Sequence, residues 1–424
     1  MLLSLTACED YIGGDINADP NNPISVPVAA QFPAIQIAIA DVYGGDFSRI
    51  CSMLTQQVEG VSRQWSSFNQ YSGLTATSFD ASWQNIYENI LNEIKLAKSG
   101  ATKKGLNHHL AIMKISEAFT LMIATDVWDD IPYTDALQGL ESISPAFDDQ
   151  VSIYNTIYAL LDSGITLLSG NAGPAAPGDE DVFYKGSTTN WIKAANAIKA
   201  RGLLHQGKYA EAVEAARASF NSPDDNLAFQ YPDANAAGGW YRFNRDRTGD
   251  LEFHPQLRSM MIALNDLDRL AVYDQAFNTH HTYFVPDFYS EMITYREMQF
   301  LIAECAWRIG DSVTSNTAYL NGIAASFHRA GVVSMVDDYI SDPAVSPGAD
   351  NLTLEHIMQQ KYIGLFAQPE VYNDYRRTNI PDLIPVRSFS IPVRWDYPST
   401  EYSYNSNLIE GSVDIFRDRV GWNR

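Results

Sequence analysis

A chain of 424 residues, 46% hydrophobic and 19% charged, carries enough apolar surface for a large core, and its net charge of −22 opposes phosphate backbones and anionic lipid. No nucleic-acid partner is expected. Three cysteines without a C-x-x-C spacing exclude a disulfide-stapled scaffold and a thiolate metal site, and no run of eighteen apolar residues is present to cross a bilayer as a helix.

The first element in chain order is chemical. Leu5-Thr6-Ala7-Cys8 resembles the cleavage box of bacterial lipoproteins, in which the cysteine thiol is acylated and becomes the new first residue. Glu9 and Asp10 follow at once, as in surface-export signals of Bacteroidetes-type lipoproteins. Residues 1–7 are expected to be a signal-peptide remnant, 8–30 a lipidated tether running through Gly13-Gly14 to Pro27, and 31–424 the folded ligand-binding domain.

Helical periodicity dominates the rest. Asn107 to Val127 and Asp149 to Leu168 repeat apolar residues at three- and four-residue spacing, the second at 154, 157, 161, 165 and 168. Two later stretches, 191–220 and 300–327, each run an alanine-rich helix into a glycine and straight into a second helix; Ala200 precedes Gly207 by seven residues, as Ala303 precedes Gly310. Breaks are expected at 171–181, 221–239 and 341–350, and the helical pattern fails over about 221–255 and from Pro381 onward. The fold class is mainly α: tetratricopeptide-like helix pairs supporting long irregular loops in a single large domain. Cys51 and Cys305 sit on apolar helical patterns and read as core.

Catalytic signatures are missing: the sequence has no H-E-x-x-H, no phosphate-cradling glycine loop and no G-x-S-x-G elbow. Neither a metal nor a cofactor is expected. His108-His109 and His280-His281 are adjacent pairs, which point to different faces and suit surface or cap roles. The acidic pairs Asp129-Asp130 and Asp148-Asp149 carry little information among 51 acidic residues. RQWSSFNQYSG sets Trp65, Phe68 and Tyr71 among Asn69, Gln70 and serines, and GGWYRFNRDRTGD sets Trp240, Tyr241 and Phe243 beside Arg242, Arg245 and Arg247. Such rings either stack on a sugar face beside amides and guanidinium groups or plug their loops onto the helical core.

Six stretches in this order, LTACEDYIGGDINADPNNP, WQNIYENIL, TDVWDDIPYTDAL, FLIAECAWRIGD, QKYIGLFAQPEVYNDYRRTNIP and IPVRWDYPSTEYSYN, resemble the SusD/RagB family of outer-membrane lipoproteins. The resemblance implies four tetratricopeptide-like helix pairs, a lipid anchor facing the outside of the cell, a SusC-like TonB-dependent transporter as partner, and capture of oligosaccharide or peptide without catalysis. It places the ligand near Trp65, Phe68, Asn69, Gln70 and Tyr71 and near Trp240, Tyr241, Arg242 and Arg245. The sequence departs from the family at Asp129, where many relatives have glycine. The two tryptophan-bearing stretches favour oligosaccharide, and the arginines leave peptide as the alternative. A two-carboxylate glycoside hydrolase and an assembly scaffold are the competing classes.

Overall fold

The computed structural model describes residues 26–277, 283–386 and 390–423; Cys8 and the His280-His281 pair lie outside them. The first helix, α1 (Val28–Val42), begins inside the expected tether and packs on α4 (Asn92–Lys104). Between them lie the short helices α2 (Ser48–Leu54), α3 (Arg63–Asn69) and Asp80–Gln84, a kink over Tyr43–Phe47 where Gly45 leaves helical geometry (φ −101°, ψ −123°), and a segment wound as π-helix, Asn85–Leu91.

Helices α5 (Asn107–Trp128) and α6 (Gln150–Leu168) form the first large pair. From Ala111 to Trp128 every residue of α5 except Lys114 is buried, as expected for a helix enclosed on all sides. Helix α6 starts where Asp149 caps it, its carboxylate accepting from the Ser152 amide at 3.0 Å. Tyr154, Ile157, Leu161 and Leu168 form its buried face, with Ile165 half-buried, as the periodicity anticipates. By length and composition α6 is apolar enough to cross a bilayer, yet that buried face is spent on packing against α5.

The pairs read from alanine and glycine spacing are present: α7 (Thr188–His205) with α8 (Tyr209–Arg217), and α10 (Tyr295–Arg308) with α11 (Ser312–Arg329). Gly207 and Gly310 hold φ of +71° and +85°, which lets each first helix end and the chain reverse in a few residues. Helices α12 (Leu354–Gly364) and α13 (Glu370–Thr378) complete the scaffold. Cys51 and Cys305 are buried in the core.

The 221–255 region is more regular than its sequence suggests. It contains β4 (Leu227–Gln230), α9 (Gly239–Asp246) and β5 (Leu251–Phe253). Strand β5 pairs antiparallel with β1 (Val58–Gly60), and β4 pairs with β6 (Tyr289–Ile293). A third two-stranded ribbon joins β2 (Ile131–Pro132) to β3 (Phe147–Asp148). Here hydrogen-bonded ribbons hold segments too short for a periodic signal.

The scaffold's centre is polar as well as apolar. Arg201 donates to both carboxylate oxygens of Glu297 at 2.7 Å, and His205 meets Glu370 at 2.8 Å and Asp126 at 3.3 Å, all of them buried. The Trp422 ring stacks on His205 with centroids 5.0 Å apart and donates its indole N–H to Asp126 at 2.9 Å. Burial alone would pull the His205 imidazole down; Glu370 and Asp126 override it and push the pKa up to about 9. These pairs tie α5, α7, α10, α13 and the last residues together, and removing one partner of such a buried pair typically costs about 3–5 kcal/mol.

Candidate functional site: a cleft between a helix kink and a π-helical turn

The aromatic stretches around Trp65 and Trp240, far apart in sequence, are brought side by side. The β1–β5 ribbon registers Val58 opposite Phe253 and Gly60 opposite Leu251, and the Val61 amide donates to the Asp250 carbonyl at 2.9 Å. Beyond the ribbon α3 and α9 meet, with Trp65 edge-on to Phe243 at 5.2 Å and Arg247 donating to Gln64 at 2.9 Å.

The rings do not form an exposed platform. Trp65 is 4% exposed, Tyr71 5% and Trp240 1%. The Trp240 ring stacks parallel on Phe284 at 4.6 Å, its N–H donates to the Ser48 hydroxyl at 2.9 Å, and Tyr71 packs against Phe416 at 6.2 Å. Of the two readings open for these rings, the structure shows the second: all three are buried and hold the site's walls to the core. The 63–71 stretch is likewise a helix with a short turn after it. Trp65 and Phe68 fall at i and i+3, the spacing of one helix face, and that signal points to packing.

What faces outward is polar. Phe68, Asn69, Gln70 and Tyr241 are half-buried, whereas Arg242 and Arg245 are exposed. Arg242 lies 3.5 Å from Asp41, and Arg245 is held by Asp246 at 2.7 Å and by the Ala234 carbonyl at 3.2 Å.

Arg242 lines a cleft of about 400 Å³ whose other walls include Asp41, Asp46, Arg49, Ser82, Asn85 and Asn89. The kinked segment Tyr43–Phe47 borders it through Gly45 and Asp46, and the π-helical segment Asn85–Leu91 through Asn85 and Asn89. π-helical turns such as the second are rare overall yet frequent at functional sites. Asn85 and Asn89 stand one turn apart, the Asn89 side-chain amide donating to the Asn85 side-chain oxygen Oδ1 at 2.7 Å, which orients both amides along one edge.

Glycines set the depth of the cleft. A Cβ on Gly239 would meet the Gly45 Cα at 2.9 Å and the Gly44 carbonyl at 3.2 Å, so the backbones of the kink and of α9 touch only because Gly239 has no side chain; on the other side, a Cβ on Gly44 would meet the Ser290 hydroxyl of β6 at 2.3 Å. Arg49 locks this approach. Its guanidinium donates to the Gly239 carbonyl at 3.0 Å and to Asp46 at 2.5 Å, and lies 4.7 Å from the Phe243 centroid and 5.9 Å from those of Trp65 and Trp240. The sequence reading missed Arg49, Asp41, Asp46, Asn85 and Asn89; the four-residue spacing of two amides in WQNIYENIL was the available signal.

Other singled-out groups are structural. Asp130 accepts from the Gln150 amide at 2.9 Å, and Asp148 from the amides of Tyr133 and Thr134 at 2.9 Å each. Asp129 holds φ +75° and accepts from the Gly421 amide at 2.6 Å, so its backbone has a conformation that glycine favours. His108 meets the Gly170 carbonyl at 3.1 Å, near the end of α6. His109, expected at the surface, is buried edge-on against Phe32 and meets Glu180 at 3.2 Å; burial lowers its pKa.

Stacked helix pairs that hold a polar cleft where several short helices meet define a helical recognition scaffold. Solved structures share that fold, three of them as follows. A SusD/RagB family protein from Bacteroides thetaiotaomicron matches with TM-score 0.79 at 21% identity, covering 94% of this chain and 99% of that one. A chitin-binding protein matches at 0.76 and 22% identity, covering 94% and 100%. A chitin-binding SusD homologue from Flavobacterium johnsoniae matches at 0.72 and 20% identity, covering 94% and 98%. No curated protein matches the sequence. The SusD-like family model, described as "Starch-binding associating with outer membrane", matches residues 20–285 and 275–398, and the chain belongs to that family.

Proposed function

We propose that this chain is an outer-membrane lipoprotein, anchored through Cys8 and facing the outside of the cell, that captures oligosaccharides and passes them to a SusC-like TonB-dependent transporter. Bonds are neither made nor broken; the ligand is held by hydrogen bonds and released by equilibrium. The observation that carries this reading is the cleft between the Gly45 kink and the π-helical turn, where Asn85, Asn89, Ser82, Asp41 and Asp46 offer both donors and acceptors, as sugar hydroxyls require. Family membership and the chitin-binding neighbours support the carbohydrate class. Peptide capture is less well served, because Arg242, Arg245 and Arg247 already face Asp41, Asp246 and Asp250.

The test is calorimetry of the wild type, Asn85→Ala and Arg242→Ala against pooled neutral oligosaccharides and pooled peptides, with chromatography of the bound material afterwards. Binding of a sugar pool that either variant weakens supports the reading. Binding of peptides alone, or appearance of shortened sugar, overturns it.

A further inference from the structure

Ten lysines are scattered over this acidic chain, and four of them, Lys95, Lys98, Lys103 and Lys114, line one groove of about 1090 Å³. The groove runs between α4, α5 and the 132–141 connection, well away from Arg242 in sequence and sharing no lining residue with the cleft. Its floor includes Leu91, Leu110 and Pro132, and its rim carries hydroxyl and amide groups, among them Ser99, Thr102, Thr134 and Gln138.

The lysines are under-compensated. Lys98 pairs with Glu117, which also accepts from the Tyr133 hydroxyl at 3.1 Å. Lys114 donates to the Ser163 hydroxyl at 2.7 Å and Lys95 to the Leu137 carbonyl, both neutral partners. Lys103 is exposed at the last turn of α4. Burial, then the charge of Lys98, lowers the Lys114 pKa, so an anion in the groove would relieve a standing cost. Lys95 and Lys103 are eight residues apart on one helix, about 12 Å along its axis. The positive charge is therefore spread along the groove.

We propose that this groove is a second binding site, selective for an anionic glycan, an oligosaccharide bearing carboxylate or sulfate groups at intervals. The positive lining is independent of the function proposed above; only the choice of a glycan rests on it. Lysines act as point charges on spaced anions, whereas a phosphate or peptide carboxylate cluster favours the planar fork of arginine, and no arginine lines the groove. Glu117 and Glu141 on the same walls accept from sugar hydroxyls and repel a densely acidic peptide.

The experiment titrates the full chain with oligogalacturonate, its methyl ester and a chondroitin sulfate oligosaccharide at low and high salt. Wild type is compared with a Lys95→Gln/Lys103→Gln/Lys114→Gln variant and with Asn85→Ala/Arg242→Ala. The expected result is binding of a charged probe that weakens with salt, falls about tenfold or more in the lysine variant and survives in the cleft variant. Failure of both charged probes, equal affinity for the methyl ester, or unchanged affinity in the lysine variant overturns the proposal. Neutral-sugar binding retained by the lysine variant keeps the two sites distinguishable and confirms that this variant is folded; if it binds neither sugar class, an unchanged melting temperature supplies the folding control.

Discussion

The Arg49 guanidinium sits 4.7 Å from the Phe243 ring centroid while donating to the Gly239 carbonyl at 3.0 Å, so one buried cation fastens both the middle and the start of α9 to α2. Arg49→Lys keeps the charge but loses the planar fork, and Arg49→Ala loses both. We expect a loss of about 1–3 kcal/mol for the alanine variant by urea denaturation, with a smaller loss for lysine. Neutral-sugar affinity should fall in both, because the cleft wall loosens.

The buried tryptophans and the outward polar groups should separate under mutation. Trp240→Ala and Trp65→Ala remove enclosed rings and are expected to cost about 3–5 kcal/mol. Asn85→Ala and Arg242→Ala should stay within about 0.5 kcal/mol of wild type. Paired melts and titrations check this: a Trp240→Ala protein with wild-type stability would contradict the burial described above.

How far the sequence foretold this arrangement depends on the length of each element. Helix α6 was legible to within a residue because five apolar positions repeat over nineteen residues behind the Asp149 cap. The helix pairs at Gly207 and Gly310 were legible because a positive φ is costly for other residues. Helices α3 and α9 were not, since seven or eight residues give barely two turns, and their ordering comes from β1–β5 pairing across the chain. Serines and amides beside Trp65 suggested exposure, whereas they only coat the outer side of a helix whose inner side is aromatic.

Stability should fall at alkaline pH because of His205. Its folded pKa of about 9 exceeds the ordinary value of 6.5, so the folded state binds the proton more tightly. The contribution is fully present below about pH 6.5 and is lost as pH rises through 9, on the order of 3 kcal/mol for a shift of this size. Melting curves from pH 6 to 10 should show the decline, and His205→Gln should be less stable at pH 6 with a flatter profile.

Asp129 offers a test of backbone against side chain. Asp129→Ala keeps a non-glycine residue at φ +75° and loses the bond to the Gly421 amide, and should cost about 1–3 kcal/mol. Asp129→Gly loses the same bond but relieves the backbone, so it should be the more stable of the two. Denaturant midpoints give the order directly.

Glu59 stands directly opposite Glu252 in the β1–β5 ribbon, and burial followed by the Glu252 charge raises the Glu59 pKa. Glu252→Gln is expected to stabilise the protein at pH 7 by roughly 0.2–1 kcal/mol, and the gain should shrink as pH falls toward the carboxylate range. A thermal shift measured at pH 7 and pH 4.5 checks the sign.

The β1–β5 ribbon also decides when the protein becomes competent. Residues near 60 wait for residues near 250, and the scaffold beneath them is closed by Trp422 against His205. Contacts at such separations are slow to find, whereas α5 with α6 and α10 with α11 join neighbours in sequence. Helical signal should therefore return early on refolding and ligand capture late, leaving a helical species that cannot yet bind its ligand.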